Sequence, residues 1–194
     1  AFRVALPQTA YPEEHNRIGF YDRLLDRLRS TPGVQAGGMG QVAPMRGSYT
    51  LSFTIQGRQP AQPGNDPSAN YRVVSPGYFQ SLGIPLKRGR VLSDQDRESS
   101  PKVALVDEAF ARRHFPDEDP IGQGIDIGNG TDGFYEIVGV VGEVHHGDLE
   151  TAASPTMYVP YKQDVFGSMW LMARTAGDPS ALTGTVRQLV REVD

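Results

Sequence analysis

Between Tyr71 and Ile125 the backbone is left with few choices, because chain-breaking and capping residues follow one another closely. Ser75-Pro76 reads as the start of a short helix, with Ser75 as N-cap and Pro76 at the first helical position. Gly83 closes that helix where a left-handed residue is needed. Tyr78, Phe79 and Leu82 give it an apolar face about one turn long. Leu86–Arg90 is a strand-like segment, and a polar loop then leads to a buried strand at Val103–Val106. Asp107 caps a second helix, Glu108 to Phe115, which Pro116 stops. The stretch specifies shape and offers almost no reactive side chains.

The flanks are simpler. Phe2–Leu6 alternates weakly, as a strand would, and a helix spans Glu13 to Ser30 with Ile18, Tyr21, Leu25 and Leu28 at helical spacing. Thr31-Pro32-Gly33 ends it, and Val34–Val42 is a glycine-rich strand leading to a turn at Pro44–Gly47. Near the other end, Ser168–Arg174 is strand-like. Asp178-Pro179 then opens a helix whose apolar positions are Leu182, Val186, Leu189 and Val193. These are two strand–helix–strand units, the second lacking its returning strand, which is expected after Asp194. Helices on one face of a sheet make an α+β layer.

Between the two units lies a mainly β insertion. Tyr49–Gln56 alternates, Leu51, Phe53 and Ile55 against Ser52, Thr54 and Gln56, as in a half-buried strand. Gln59–Ala69 is a loop rich in Pro, Gly and Asn. Asn70–Val74, Ile125–Ile127, Phe134–Val144 and Tyr158-Val159 read as strands. A Gly128–Gly133 turn joins the second and third of these. Gly139 inside a strand marks a bulge or a close backbone approach.

Composition excludes more than it identifies. A net charge of −4 and the lack of a basic cluster argue against nucleic acid as a partner. Lys87-Arg88-Gly89-Arg90 is better read as a solvated strand edge. With no cysteine there are no disulfides, thiolate nucleophiles or cysteine metal sites. The most apolar stretch, Ile137–Gly142, is far short of the roughly 20 residues that a bilayer span demands. Ala1–Leu6 has neither the charged nor the long apolar region of a signal peptide.

Candidate chemistry is weak. His145, His146 and Asp148 combine ligand types that suit zinc or nickel. Adjacent residues on a strand face opposite sides, so a polar loop is the simpler reading. Gly128–Gly133 and Gly139–Gly142 lack the strand–loop–helix context and the Gly-Lys-Ser/Thr of a phosphate loop. Asp94 with Asp96, and Asp117 to Asp119, have no calcium-loop spacing, and no nucleophile elbow is present. No catalytic, cofactor-binding or metal residue is assigned.

Several ordered motifs carry a resemblance to a known family. SPGYFQSLGIPLKRGR followed by VALVDEAFARRHFPDEDPIGQGI, then EIVGVVGEVHHGDLE, PTMYVPY, RTAGDPSAL and the helix end STPGVQA, resemble the extracytoplasmic core domain of MacB/FtsX-like transporter permeases. The likeness covers nearly the whole chain and is nearest to bacterial orphan permeases. It implies a porter-like α+β subdomain at 1–47 and 164–194, with a mixed, mainly β subdomain inserted at 48–163. It further implies a place between transmembrane segments at the cell inner membrane, with this domain facing the periplasm or extracytoplasmic space. The implied partners are those membrane segments, a cytoplasmic ATPase and an extracytoplasmic protein. The implied role is non-catalytic: passing conformational change between the membrane helices and a substrate or partner outside.

Aromatic residues supply the candidate interaction surface: Tyr78, Phe79, Tyr158, Tyr161 and Trp170, with Phe166 beside them. Aromatic anchors are enriched at interfaces, and each has a core role as its alternative. An aromatic pocket would favour a second function, a module binding a peptide, lipoprotein or small molecule. Convergent His145, His146 and Asp148 would favour a third, a metal-dependent hydrolase.

Overall fold

In chain order the elements are β1 (Phe2–Ala5), α1 (Glu14–Arg29), β2 (Val34–Gly40), β3 (Thr50–Ile55), β4 (Ser68–Val74), α2 (Tyr78–Leu82) and β5 (Leu86–Gly89). They continue with β6 (Val103–Asp107), α3 (Glu108–His114), β7 (Gly124–Ile127), β8 (Tyr135–Val141), β9 (Thr156–Pro160), β10 (Ser168–Thr175) and α4 (Leu182–Val193). This is a computed structural model, and it describes residues 1–43, 47–59, 65–128, 133–144, 153–178 and 181–193. The fold is α+β, as the two kinds of hydrophobic period require.

The first and last strands of the chain pair with each other. β10 lies between β1 and β2, antiparallel to both, so β1 and β2 run parallel with one strand between them. Phe20, Leu24, Leu25 and Leu28 of α1, together with Val186 and Val193 of α4, join Val4, Met39, Met169 and Leu171 in one core. Burying a leucine of this kind stabilises by about 1.5–3 kcal/mol. Glu192 of α4 pairs with Arg27 of α1 at 2.8 Å.

The remaining strands close on themselves. β4 pairs β3, β3 pairs β7, β7 pairs β8, β8 pairs β6, β6 pairs β9, and β9 returns to β4 in parallel register, Arg72 opposite Tyr158. Closure removes the exposed edges that make open sheets liable to mispair. Alternation divides the ring's side chains between two cores. Phe53, Tyr71, Val73, Ala104, Val106, Ile137, Met157 and Val159 belong to the larger core, with Phe110 of α3 against Phe53. Val74, Val103, Leu105 and Tyr158 face the other way, onto Tyr78 and Phe79 of α2.

Most of the local signals act as read. Gly83 is left-handed at φ 72°, Asp107 caps α3 by accepting from the Phe110 amide, and Gly33 follows α1 at φ 85°. The close approach expected at Gly139 is real: a Cβ there would lie 2.4 Å from the Arg90 carbonyl oxygen. β5 is exposed along its length and, among the described residues, pairs with β8 alone, as a solvated edge should.

Ser75 departs from expectation. α2 starts at Tyr78 with Gly77 as N-cap and no side-chain cap, because the Ser75 hydroxyl is engaged elsewhere. The other differences are at boundaries: β2 ends at Gly40, α3 at His114 and β8 at Val141, and α4 starts at Leu182. Pro44–Arg46, Pro179 and the middle of the Gly128–Gly133 turn lie outside the described residues.

Candidate functional site

The site is the seam where the three-stranded sheet meets the closed ring. One side of it is β2, whose glycines are demanded from both faces. A Cβ on Gly37 would sit 2.7 Å from Leu28 Cδ2 of α1, and one on Gly38 would sit 2.4 Å from the Tyr78 amide nitrogen. A Cβ on Gly77 would come within 2.1 Å of the Gly37 carbonyl oxygen. Backbone therefore packs on backbone, and no side chain fits. The Met39 amide donates to the Ser75 hydroxyl at 2.8 Å, and the Ser75 amide donates to the Met39 carbonyl at 3.0 Å. That reciprocal pair extends the link between β2 and β4 past their one register pair, Gly40 opposite Val74.

The other side is the crossover from β9 to β10, residues 161 to 167, in which successive polar side chains grip different elements. Tyr161 donates from its hydroxyl to Asp22 on α1. Lys162 reaches Asp22 at 3.0 Å and Asp94 at 3.2 Å. Gln163 accepts from the Val103 amide at 3.0 Å and donates to the carbonyls of Arg97 and Pro101 and to the Ser100 hydroxyl. Asp164 accepts from the Tyr71 hydroxyl. The Phe166 carbonyl accepts from the Tyr21 hydroxyl at 3.1 Å, and the Gly167 carbonyl from the Leu6 amide at 2.7 Å. Local sequence explains little of this, since Tyr-Lys-Gln-Asp reads as an ordinary polar turn.

Electrostatics favour the closed junction. Burial works against the Lys162 charge, yet the Asp22 and Asp94 carboxylates outweigh it and hold the ammonium above its ordinary pKa. Burial, then Asp22, pushes the Tyr161 phenol well up. Burial, then Asp164, does the same for Tyr71. Both phenols stay protonated and remain donors. Beside the clasp is an open cleft lined by His15, Ile18, Asp22, Asp94, Arg97, Glu98 and Lys162. Within it Lys162 pairs with both Asp22 of α1 and Asp94 of the 93–100 turn, and that arrangement holds the elements together.

A second polar cluster lies beneath α2. Arg72 is buried, with its guanidinium on the carbonyls of Tyr71 and Gly47. Burial lowers its pKa, and the neighbouring Tyr78 and Tyr158 oppose that. Both phenol oxygens, and Asp107 Oδ2, are buried without a hydrogen-bond partner among the described residues. Asp107 Oδ1 accepts from the amides of Phe110 at 2.7 Å and Thr156 at 3.1 Å. Burial pushes the Asp107 carboxyl up to about 6 against those bonds.

The aromatic candidates have different fates. Tyr78, Phe79 and Tyr158 are buried together in the smaller core, and Tyr161 in the larger one, so none presents a ring to solvent. Trp170 alone of the five is partly exposed, opposite Arg3 in the β1–β10 register. Partly exposed Phe166 packs edge-on against Tyr49. His145, His146 and Asp148 lie outside the described residues. Among the described residues no group of His, Asp or Glu is placed to hold a metal ion. No helix there is long and apolar enough to cross a membrane.

The fold has counterparts among known proteins. The chain is similar to the macrolide export ATP-binding/permease protein MacB of Mannheimia succiniciproducens, 25% identical over 150 residues, covering 75% of this chain and 22% of that protein. It is 32% identical over 95 residues to an uncharacterized ABC transporter permease, YvrN, of Bacillus subtilis, covering 46% of this chain and 22% of that one. The chain thus spans about a fifth of the length of these relatives. In fold it is similar to the periplasmic region of MacB from Actinobacillus actinomycetemcomitans, with TM-score 0.60 and 18% identity over 88% of this chain and 72% of that one. It is also similar to the extracellular domain of YknZ, a noncanonic ABC-type transporter from Gram-positive bacteria, with TM-score 0.56 and 16% identity over 98% and 91% of the two chains. The family model of the MacB-like periplasmic core domain matches residues 4–189, and the chain belongs to that family of extracytoplasmic permease domains.

Proposed function

We propose that this domain is a non-catalytic lever of its parent permease. It stands between transmembrane segments of the inner membrane, faces the periplasm or extracytoplasmic space, and passes their movement to a substrate or protein partner outside. A cytoplasmic ATPase, on the same polypeptide or separate, supplies the energy. The observation that carries this reading is the junction. A lever must be stiff where its parts meet, and residues 161 to 164 each bond to another element of the fold.

The division into 1–47 with 164–194 and 48–163 is part of the proposal, and the seam just described supports it. Opposed packing surfaces move as discrete rigid bodies by hinge or shear, and an interlocked seam favours movement of the whole. The first strand and the last helix line one groove, with Phe2 and Val4 beside Val186 and Val190. The first strand and the last described helix are therefore neighbours, which suits a body carried on two adjacent stalks.

The test uses the parent permease in nanodiscs with its ATPase. Lys162→Met combined with Gln163→Ala should reduce the nucleotide-driven displacement of the domain by at least half while nucleotide binding is unchanged. An unaltered displacement would remove the junction from the mechanism. The second reading, a binding module, is favoured by one observation, the partly exposed Trp170 ring beside Arg3. Trp170→Ala distinguishes it, since loss of partner capture with normal displacement would support binding.

A further inference from the structure

Beneath α2 the closed ring buries a cation with no carboxylate partner among the described residues. Arg72 is 2% exposed. Its hydrogen bonds go to neutral carbonyls, Tyr71 at 3.3 Å and Gly47 at 3.2 Å, at or beyond the long end of the usual range. A guanidinium carries five N–H donors and keeps its proton inside proteins. Most of its donors and its whole charge are therefore unanswered among the described residues.

Two phenols converge on it. Tyr158 lies opposite Arg72 in the parallel β4–β9 register. Tyr78 comes from α2 above. Its ring lies over Gly40, where a Cβ would sit 2.8 Å from Tyr78 Cε2. Gly40 pairs with Val74, which shares one face of β4 with Arg72. The two tyrosine rings are 6.1 Å apart, and both act on the Arg72 charge. Neither phenol oxygen has a hydrogen-bond partner among the described residues. The neighbouring Thr156 hydroxyl donates to the Ser154 carbonyl at 3.0 Å. Three elements thus bring donors together without an acceptor. Asp107 Oδ2 is an orphaned acceptor on the same face. It belongs to β6, however, which β9 separates from β4, about 10 Å across the sheet. Asp107 holds the Thr156 amide and leaves Arg72 unneutralised.

A buried charge needs an opposite charge nearby as well as hydrogen bonds. Water accepts from the phenols but brings no charge, whereas an anion supplies both. Enclosure limits its size, because Arg72, Tyr78 and Tyr158 are each at most 2% exposed. We propose that these three side chains hold a small inorganic anion, chloride, inside the ring beneath α2. Bound there, it joins β4 and β9 to the helix whose Tyr78 amide packs against Gly38 of β2. The site is separate from the junction at 161 to 164, and it stands whether or not the domain acts as a lever.

The test melts this chain in sodium chloride and sodium gluconate mixtures of one ionic strength. Raising chloride from about 5 to 150 mM should raise Tm by at least about 3 °C, along the curve of a single binding site. Tyr78→Phe and Tyr158→Phe each remove one donor and keep the ring. Each should raise the apparent dissociation constant for chloride at least fivefold. In gluconate alone each should be no less stable than the parent, since the phenol it removes is then an unpaired buried group. Arg72→Met should abolish the chloride dependence. In a second arm, crystals grown in sodium bromide should show an anomalous peak within hydrogen-bond reach of the guanidinium and both phenol oxygens. A Tm indifferent to chloride, an unchanged chloride dependence in both phenylalanine variants, or water alone at that position in bromide would overturn the proposal.

Discussion

Ser75 and Met39 exchange two hydrogen bonds across the seam, at 2.8 and 3.0 Å, with both residues fully buried. Ser75→Ala keeps the backbone bond and leaves the Met39 amide buried without an acceptor. An orphaned buried donor costs about 1–3 kcal/mol. Urea unfolding should show that loss with an unchanged m-value, whereas a cost under about 0.5 kcal/mol would mean that water replaces the hydroxyl.

Glycines in this chain should answer alanine substitution with opposite signs. A Cβ on Gly77 meets the Gly37 carbonyl oxygen at 2.1 Å, backbone against backbone, while one on Gly184 in α4 meets nothing within 4 Å. Gly77→Ala should destabilise by about 3 kcal/mol, at the upper end for overpacking. Gly184→Ala should stabilise by about 0.5–1 kcal/mol, through lower backbone entropy in a helix interior. Thermal melts of the two variants check both signs.

Asp107 should make stability fall as pH rises. Burial raises its carboxyl from 3.8 to about 6 in the fold, so the folded state binds the proton more tightly. The resulting contribution to stability is fully present below pH 3.8 and is lost as pH rises through about 6. Two pH units correspond to about 3 kcal/mol. Asp107→Asn retains an acceptor for the Phe110 and Thr156 amides and cannot titrate. Denaturation from pH 4 to 8 should show the variant gaining stability relative to the parent as pH rises, and parallel curves would contradict the account.

Lys162 and Asp22 should be energetically coupled, since the Lys162 side chain is only 16% exposed and also meets Asp94. A double-mutant cycle with Lys162→Met and Asp22→Asn should give a coupling of about 1 kcal/mol, above that of a fully exposed pair. Raising salt from about 0.05 to 0.5 M should reduce it only partly.

Local and tertiary information were not equally legible. Asp107, Gly83 and Gly33 act within a few residues of themselves, and their caps and turns stood in the sequence. Ser75 has the composition of an N-cap, but a hydroxyl serves any nearby amide, and only the fold brings Met39 to it. Tyr78, Phe79 and Tyr158 have the same composition whether buried or exposed. The parallel pairing of β4 with β9 closes the ring, and neither strand names its partner. The junction was hidden for the same reason: Lys162 and Gln163 are ordinary turn residues until α1 and the 93–100 turn are placed around them.

The most direct test of the lever is a set of spin-label distances in the parent permease, taken through its nucleotide cycle. One pair sits within the domain, Glu98→Cys beside the junction and Gln188→Cys on α4. A second pair links Glu118→Cys to a label in a membrane segment. The account predicts one narrow, invariant distance for the first pair and a nucleotide-dependent shift for the second. A second pair that stays fixed throughout the cycle would contradict it.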